Sequence, residues 1–398
     1  VVSSWQRRQH PLRGICIAKQ ATRGIINTFG VYQTFYEQDI LSNMSASTIA
    51  WIGSVESFLL LFVGVITGPL FDAGYFYILL PFGTFMVTFG YMMTSLGTEY
   101  YQIMLAQGLC VGIGTGCLFV PAVAVLPQYF KKKKALANGI AATGASIGGV
   151  IYPIMFYRLE QQVGFPWATR AVGFVCLGTC AISIAVMRVR TTPKQRRALL
   201  QLSAFKEVEY SLFCLAMFFG FLGFYNFLSY VQPWAMEEKI VGTNLGFYLV
   251  PIINAASTIG RLAPNFLADL WGPLNLLSPA AGVTAILAFC WLAVHSTAGI
   301  IILTILYGGF SGGFVSLTPV VMIVLTKDLR DLGTRLGMMF AVLSIALLVG
   351  TPIGGAILIG SGSYTGVQIF CGATIALCSL ITMCIRLKRS GLTFKYKT

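Results

Sequence analysis

Arg261 stands inside a long apolar run, in the segment NAASTIGRLAP. If that run crosses a bilayer, a charge at mid-depth costs roughly 2.5–3.5 kcal/mol, so it is expected to face a polar cavity. The planar guanidinium fork matches a carboxylate. One reading is therefore capture of an organic anion; the other is a gate, with Arg261 near the end of the run and paired to Asp269. Asn254 and Ser257 lie seven and four residues earlier on the same helical face, as cavity lining or as glue between helices. Glu56 is the only carboxylate in its own run, about 12 Å from the outer end at 1.5 Å per residue. A carboxyl at that depth is a candidate proton carrier, or a hydrogen-bonded acid at a seam. Asp72 and Asp269 each end an apolar run, where an anion suits the start of a helix; both are gating candidates. Asn27 and Tyr32, Tyr152, and Tyr225 with Asn226 combine aromatic and amide groups, a lining suited to a planar organic ligand.

These residues need a scaffold, and composition says which. Of 398 residues 56% are apolar and only 10% charged, against about 25% charged in soluble domains. That excludes a soluble enzyme and a disordered chain, and points to a polytopic membrane protein. Eleven apolar stretches run roughly 48–70, 76–97, 101–129, 135–157, 167–187, 208–230, 243–268, 273–294, 299–325, 336–359 and 366–385. Backbone in lipid must close its own hydrogen bonds, so these read as helices, and no barrel alternation is present. The net charge of +14 sits in short clusters between the runs, which argues for membrane orientation and lipid contact rather than nucleic acid. The ten cysteines fall almost wholly in apolar runs and only two histidines exist, His10 and His295, so the residues imply no metal, cofactor or disulfide framework. ATGASIGG at 142–149 lacks the Lys-Ser/Thr of a nucleotide loop and lies in a span. A catalytic cluster within the spans is also lacking, so the chain reads as no enzyme.

Residues 1–23 carry Arg7, Arg8, Arg13, Lys19 and Arg23 and read as a basic arm, with a short first span beginning at Gly24. Counted with that span, 23 of 27 Lys+Arg fall on one side and only Arg158, Arg170 and Lys239 on the other, which places both termini in the cytoplasm. Gly114 and Gly312, Pro121 and Pro319, Gly139 and Gly337, and Ser146 and Ser344 are each 198 apart. That offset implies a duplication, with two six-helix halves pointing the same way. The expected organisation is an arm 1–23, a first bundle 24–187, a basic linker 188–207, a second bundle 208–387 and a tail 388–398.

GPLFDAGYF at 68–76, LAQGLCVGIGTG at 105–116, YFKKKKALANGIAATGASIGG at 129–149 and GRLAPNFLADLWGP at 260–273 resemble the major facilitator superfamily, and within it the monocarboxylate-porter-like branch of fungal type. The resemblance implies an all-α fold of twelve transmembrane helices in two pseudo-symmetric bundles, a central cavity and rocker-switch transport, often coupled to protons. Three positions depart from the pattern: Ala73 and Gly74 follow Asp72 where basic residues are usual, Met104 replaces a span-4 arginine, and Ser257 stands where a carboxylate is expected one turn before Arg261. The expectation is a secondary transporter of a small organic solute, a monocarboxylate or related organic anion, with H+ as a coupled partner. It would be a multi-pass protein of the plasma membrane rather than an internal one. Arg261, Asn254, Ser257, Asn27, Tyr32, Tyr152, Tyr225 and Asn226 would bind solute, Glu56 would carry the proton, and Asp72 and Asp269 would gate. The alternative, motivated by the short first span, is an incomplete, inactive or sensor-like relative.

Overall fold

The computed structural model describes residues 2–130, 134–189, 201–326 and 332–391. Among them every regular element is helical. Lys131, Lys132 and Lys133, the linker from 190 to 200 and the tail from 392 lie outside the described residues. In chain order the α-helices are α1 (Val2–Ile26), α2 (Phe29–Gln38), α3 (Ala46–Asp72), α4 (Phe76–Thr94), α5 (Tyr100–Ile103), α6 (Gly112–Tyr129), α7 (Lys134–Val186), α8 (Val208–Glu237), α9 (Thr243–Trp271), α10 (Pro273–Cys290), α11 (Thr297–Leu325), α12 (Leu332–Ser361) and α13 (Thr365–Ser390). A π-helical segment, Met104–Val111, joins α5 to α6 without a break. Ten helices among the described residues are long and apolar enough to cross a membrane.

Serine starts two of these helices for a plain reason. Ser45 Oγ accepts from the Thr48 amide at 3.2 Å and Ser296 Oγ from the Gly299 amide at 3.1 Å, satisfying amides that have no partner within the helix. α7 holds 53 residues, about 80 Å if straight, against a hydrocarbon core of about 30 Å. It turns at Gly164, where φ is 75° and ψ 167°, a conformation an L side chain rarely takes. The two apolar stretches expected at 135–157 and 167–187 are the two arms of this turn.

The first span departs from expectation. The arm is not separate from it: α1 is continuous to Ile26 and buries Leu12, Ile15, Ala18 and Thr22. After two residues, Asn27 and Thr28, α2 continues the course. The break is bridged by Thr28, whose amide donates to Ile25 O at 2.8 Å and whose hydroxyl donates to Gly24 O at 2.9 Å. α1 lacks an apolar signature because it is surrounded by protein, packed chiefly along α7. The two helices come so close at Gly24 that an added Cβ would lie 2.7 Å from Gly148 Cα. Lys19 and Arg23 are therefore interior residues and not orientation signals in a loop.

The 198-residue offset maps element onto element. It carries 134–163 of α7 onto α12, α3 onto α9, and α4 onto α10, each to within about two residues. The pairings match as well, since α7 packs on α9 and α12 packs on α3. Buried apolar side chains form two clusters. One draws almost wholly on residues 12–187, and the other mainly on residues beyond 204. The outer faces expose large apolar side chains such as Ile78, Phe85, Ile259 and Ile286, as a lipid-facing surface would.

Candidate functional site

Lys19 and Arg23 are one helical turn apart, so both point from the same face of α1. α9 brings Arg261 to that face. The three cations line one chamber with Phe119 of α6, Asn138 of α7, Phe221 of α8, Ser316 of α11 and Phe340 of α12. Among the described residues no carboxylate belongs to its lining. Lys19 Nζ donates to Asn138 Oδ1 at 3.1 Å, and Asn138 Nδ2 in turn donates to Ser316 O at 2.8 Å. Arg261 Nη1 donates to Ala142 O at 2.6 Å. The Arg23 guanidinium lies 4.8 Å from the centre of the Phe119 ring. Nε of Arg23 and Nε of Arg261 are both buried without a hydrogen-bond partner among the described residues. Three basic side chains with no carboxylate among the described lining residues repel one another when charged, and withdrawal from water strengthens that repulsion. An anion would relieve it and supply the acceptors the two Nε atoms lack.

Toward the other end lies a second chamber, lined by Asn27, Phe29, Gln33, Ser54, Ser57, Tyr225, Ser229 and Thr351 among others, with no charged side chain. Asn27 Nδ2 donates to Asn254 Oδ1 at 2.7 Å between the two. Ser257 shares a 2.7 Å hydroxyl contact with Ser146 and donates to Asn254 O at 2.8 Å. Of the expected solute contacts, Arg261 lines the first chamber and Asn27 and Tyr225 the second, whereas Asn254 and Ser257 line neither and bond to Asn27 and Ser146 across the halves.

Three further expected solute contacts also line neither chamber. Tyr32 is fully buried, its ring 4.1 Å from that of Phe156 and within an aromatic cluster that includes Tyr36, Tyr91 and Phe165. Tyr152 is fully buried too and packs on Gly24. Asn226 donates to Leu222 O at 2.8 Å and to Gly350 O at 2.9 Å, pinning α8 to α12. None of the three lines either chamber. Each sits at the expected height in its helix but is turned into the bundle.

Glu56 is fully buried on α3, apart from both chambers, with Gln107 of the π-helical segment beside it. Gln107 Oε1 accepts from Tyr36 Oη at 2.6 Å. Asp269 does not pair with Arg261. Its two carboxylate oxygens accept from the amides of Ala135 at 3.2 Å and Leu136 at 3.1 Å, in the first turn of α7. It was expected to cap the helix that follows it, but it caps one in the other half of the chain. Asp72 closes α3, and its side chain lies outside those described.

Lys19, Arg23 and Asn138 were missed as site residues. Their signals were the four-residue spacing of two cations in the arm and the 198-residue offset, which carries the start of α8 back to residue 10 and so places Lys19 and Arg23 inside a span.

The family model of the Major Facilitator Superfamily matches residues 24–322. The chain belongs to this superfamily. An MFS-type transporter of Emericella nidulans, dbaD, is 45% identical over 366 residues, covering 92% of this chain and 82% of that protein. The aspyridones efflux protein apdF of the same organism is 44% identical over 356 residues, covering 89% of this chain and 72% of its own length. The agnestins efflux protein AgnL12 of Paecilomyces divaricatus is 36% identical over 374 residues, covering 94% and 86%. Among solved structures, the human organic anion transporter MFSD10 (TETRAN) superposes with a TM-score of 0.72 over 95% of this chain and 99% of its own at 13% identity, a likeness of fold. The facilitator chain is thus an integral, multi-pass membrane transporter. Proteins of this superfamily are transporters and generally not enzymes.

Proposed function

We propose that this facilitator expels a small organic anion by alternating access, with twelve spans in two six-helix bundles. The count is supported by the ten membrane-crossing helices, by an α7 long enough for two passages, and by α1 with α2 as a first passage. The two apolar clusters and the 198-residue correspondence support two bundles. The observation that carries the solute reading is the convergence of Lys19, Arg23 and Arg261 from both halves without a carboxylate in the lining. A monocarboxylate or a related acid satisfies that chemistry. Outward direction is supported by relatives named for the efflux of aspyridones and agnestins. The basic clusters at one end of the helices favour cytoplasmic termini, and efflux favours the plasma membrane.

Contacts between the halves hold both ends of the path. At the basic end Asp269 engages α7. At the opposite end the rings of Tyr157 and Phe247 stack at 4.0 Å, and Arg158 donates to Tyr248 Oη at 2.9 Å. Rocking would release one set while the other persists. Glu56 is the proton-carrier candidate, acting from inside the first bundle. The alternative of an inactive or sensor-like relative was motivated by a short first span; the continuous course of α1 and α2 supports a longer first passage. Uptake of labelled organic acids into proteoliposomes, screened with and without a pH gradient, tests the reading. Saturable uptake of at least one acid supports it, and an inert protein returns the sensor-like alternative.

A further inference from the structure

The two chambers share several helices. α8 supplies Phe221 to the basic chamber and Ser229 to the uncharged one, and α12 supplies Leu343 and Thr351 in the same sense. Eight residues separate the members of each pair, about 12 Å along a helix. Along α8 Tyr225 falls between Phe221 and Ser229, and along α9 Asn254, which accepts from Asn27 at 2.7 Å, falls between Val250 and Arg261. Asn27 occupies the break between α1 and α2, and interrupted spans are where facilitated solutes commonly meet backbone and side-chain groups. Within the uncharged chamber the hydroxyls of Ser54 and Thr351 meet at 2.6 Å. This bond too joins the two halves of the chain, and a ligand hydroxyl or carbonyl offers the same partners.

We propose that the solute is an extended organic acid whose ionised group lies against Arg23 and Arg261 and whose uncharged, hydrogen-bonding body occupies the second chamber, where it exchanges for the Ser54–Thr351 and Asn27–Asn254 bonds. The proposal rests on the anion reading of the basic chamber and adds that the far end of the molecule is read as well. A short acid reaches the basic chamber alone and forgoes those bonds.

Calorimetric titration of the protein in lipid nanodiscs with three probes tests it. The probes are benzoate, 4′-hydroxybiphenyl-4-carboxylate, which carries a hydroxyl at the far end of a rigid body, and the carboxamide of the latter. The longer acid is expected to bind about tenfold more tightly than benzoate, the worth of one or two net hydrogen bonds. The double variant Ser54→Ala with Thr351→Val is expected to collapse that ratio, whereas Arg261→Gln weakens both acids and preserves it. Equal affinity for the two acids, or a ratio that survives the double variant, overturns the extended-acid proposal while leaving the anion reading standing. A carboxamide that binds as well as its acid, or no binding of either acid, overturns the anion reading and this proposal with it.

Discussion

Asp269, in the last turn of α9, accepts at Oδ2 from the amide of Leu136 in the first turn of α7, 3.1 Å away. The bond joins residues 133 positions apart, one from each half of the chain. A carboxylate at a helix amino terminus satisfies amides that have no partner within the helix and meets the positive end of the helix dipole, together worth about 1 kcal/mol.

Asp269→Asn removes the charge and keeps the shape. It should favour opening at that end by about fivefold, the equivalent of 1 kcal/mol. Maleimide labelling of V123C, a cysteine placed in the basic chamber in a background free of native cysteines, reads the change. The labelling rate should rise, and an unchanged rate would show that this contact does not hold the end closed.

Gly139 and Gly337 occupy equivalent positions in the repeat but not equivalent surroundings. A Cβ on Gly139 would lie 2.6 Å from Arg261 O and 2.8 Å from Asn265 Cβ, whereas one on Gly337 meets nothing nearer than Val65 Cα at 3.8 Å. Gly139→Ala must push α7 off α9, at a cost of about 1–3 kcal/mol, and Gly337→Ala should be nearly neutral. Thermal unfolding of the purified variants separates them, with a clear drop in melting temperature for the first only.

Glu56 has Gln107 beside it, and both its carboxyl oxygens are buried without a hydrogen-bond partner among the described residues. Glu56→Gln is close to isosteric, so folding and expression should persist. If Glu56 carries the proton, uptake by the variant should no longer respond to an imposed pH gradient. A gradient response equal to that of the wild type would assign Glu56 a packing role.

Most of the helical layout was legible. Long apolar runs leave little freedom in lipid, and α3, α4 and α8 to α13 start or end within a few residues of the stretches read from the sequence. Rotation about each helix was not legible. Tyr32, Tyr152 and Asn226 sit in helices apolar on nearly every face, so no polar stripe marks the side that meets the path. The first span was obscured for the opposite reason. Its Lys19, Thr22 and Arg23 make α1 look like a solvated arm, because a helix lining a charged chamber and a helix in water carry the same residues. Only the long-range correspondence with α8 distinguishes the two. Asp269 was visible as an anion at a helix end, yet its partners, the amides of Ala135 and Leu136, lay across the molecule, which no local pattern records.

The central claim is that Arg23 and Arg261 hold the negative charge of the solute. Initial rates of uptake into proteoliposomes of the best-transported organic acid, measured over a concentration series for wild type, Arg23→Gln and Arg261→Gln, test it most directly. Each substitution should lower kcat/KM by about thirtyfold or more, the scale of removing one partner of a buried charge pair. Wild-type kcat/KM in both variants would contradict it.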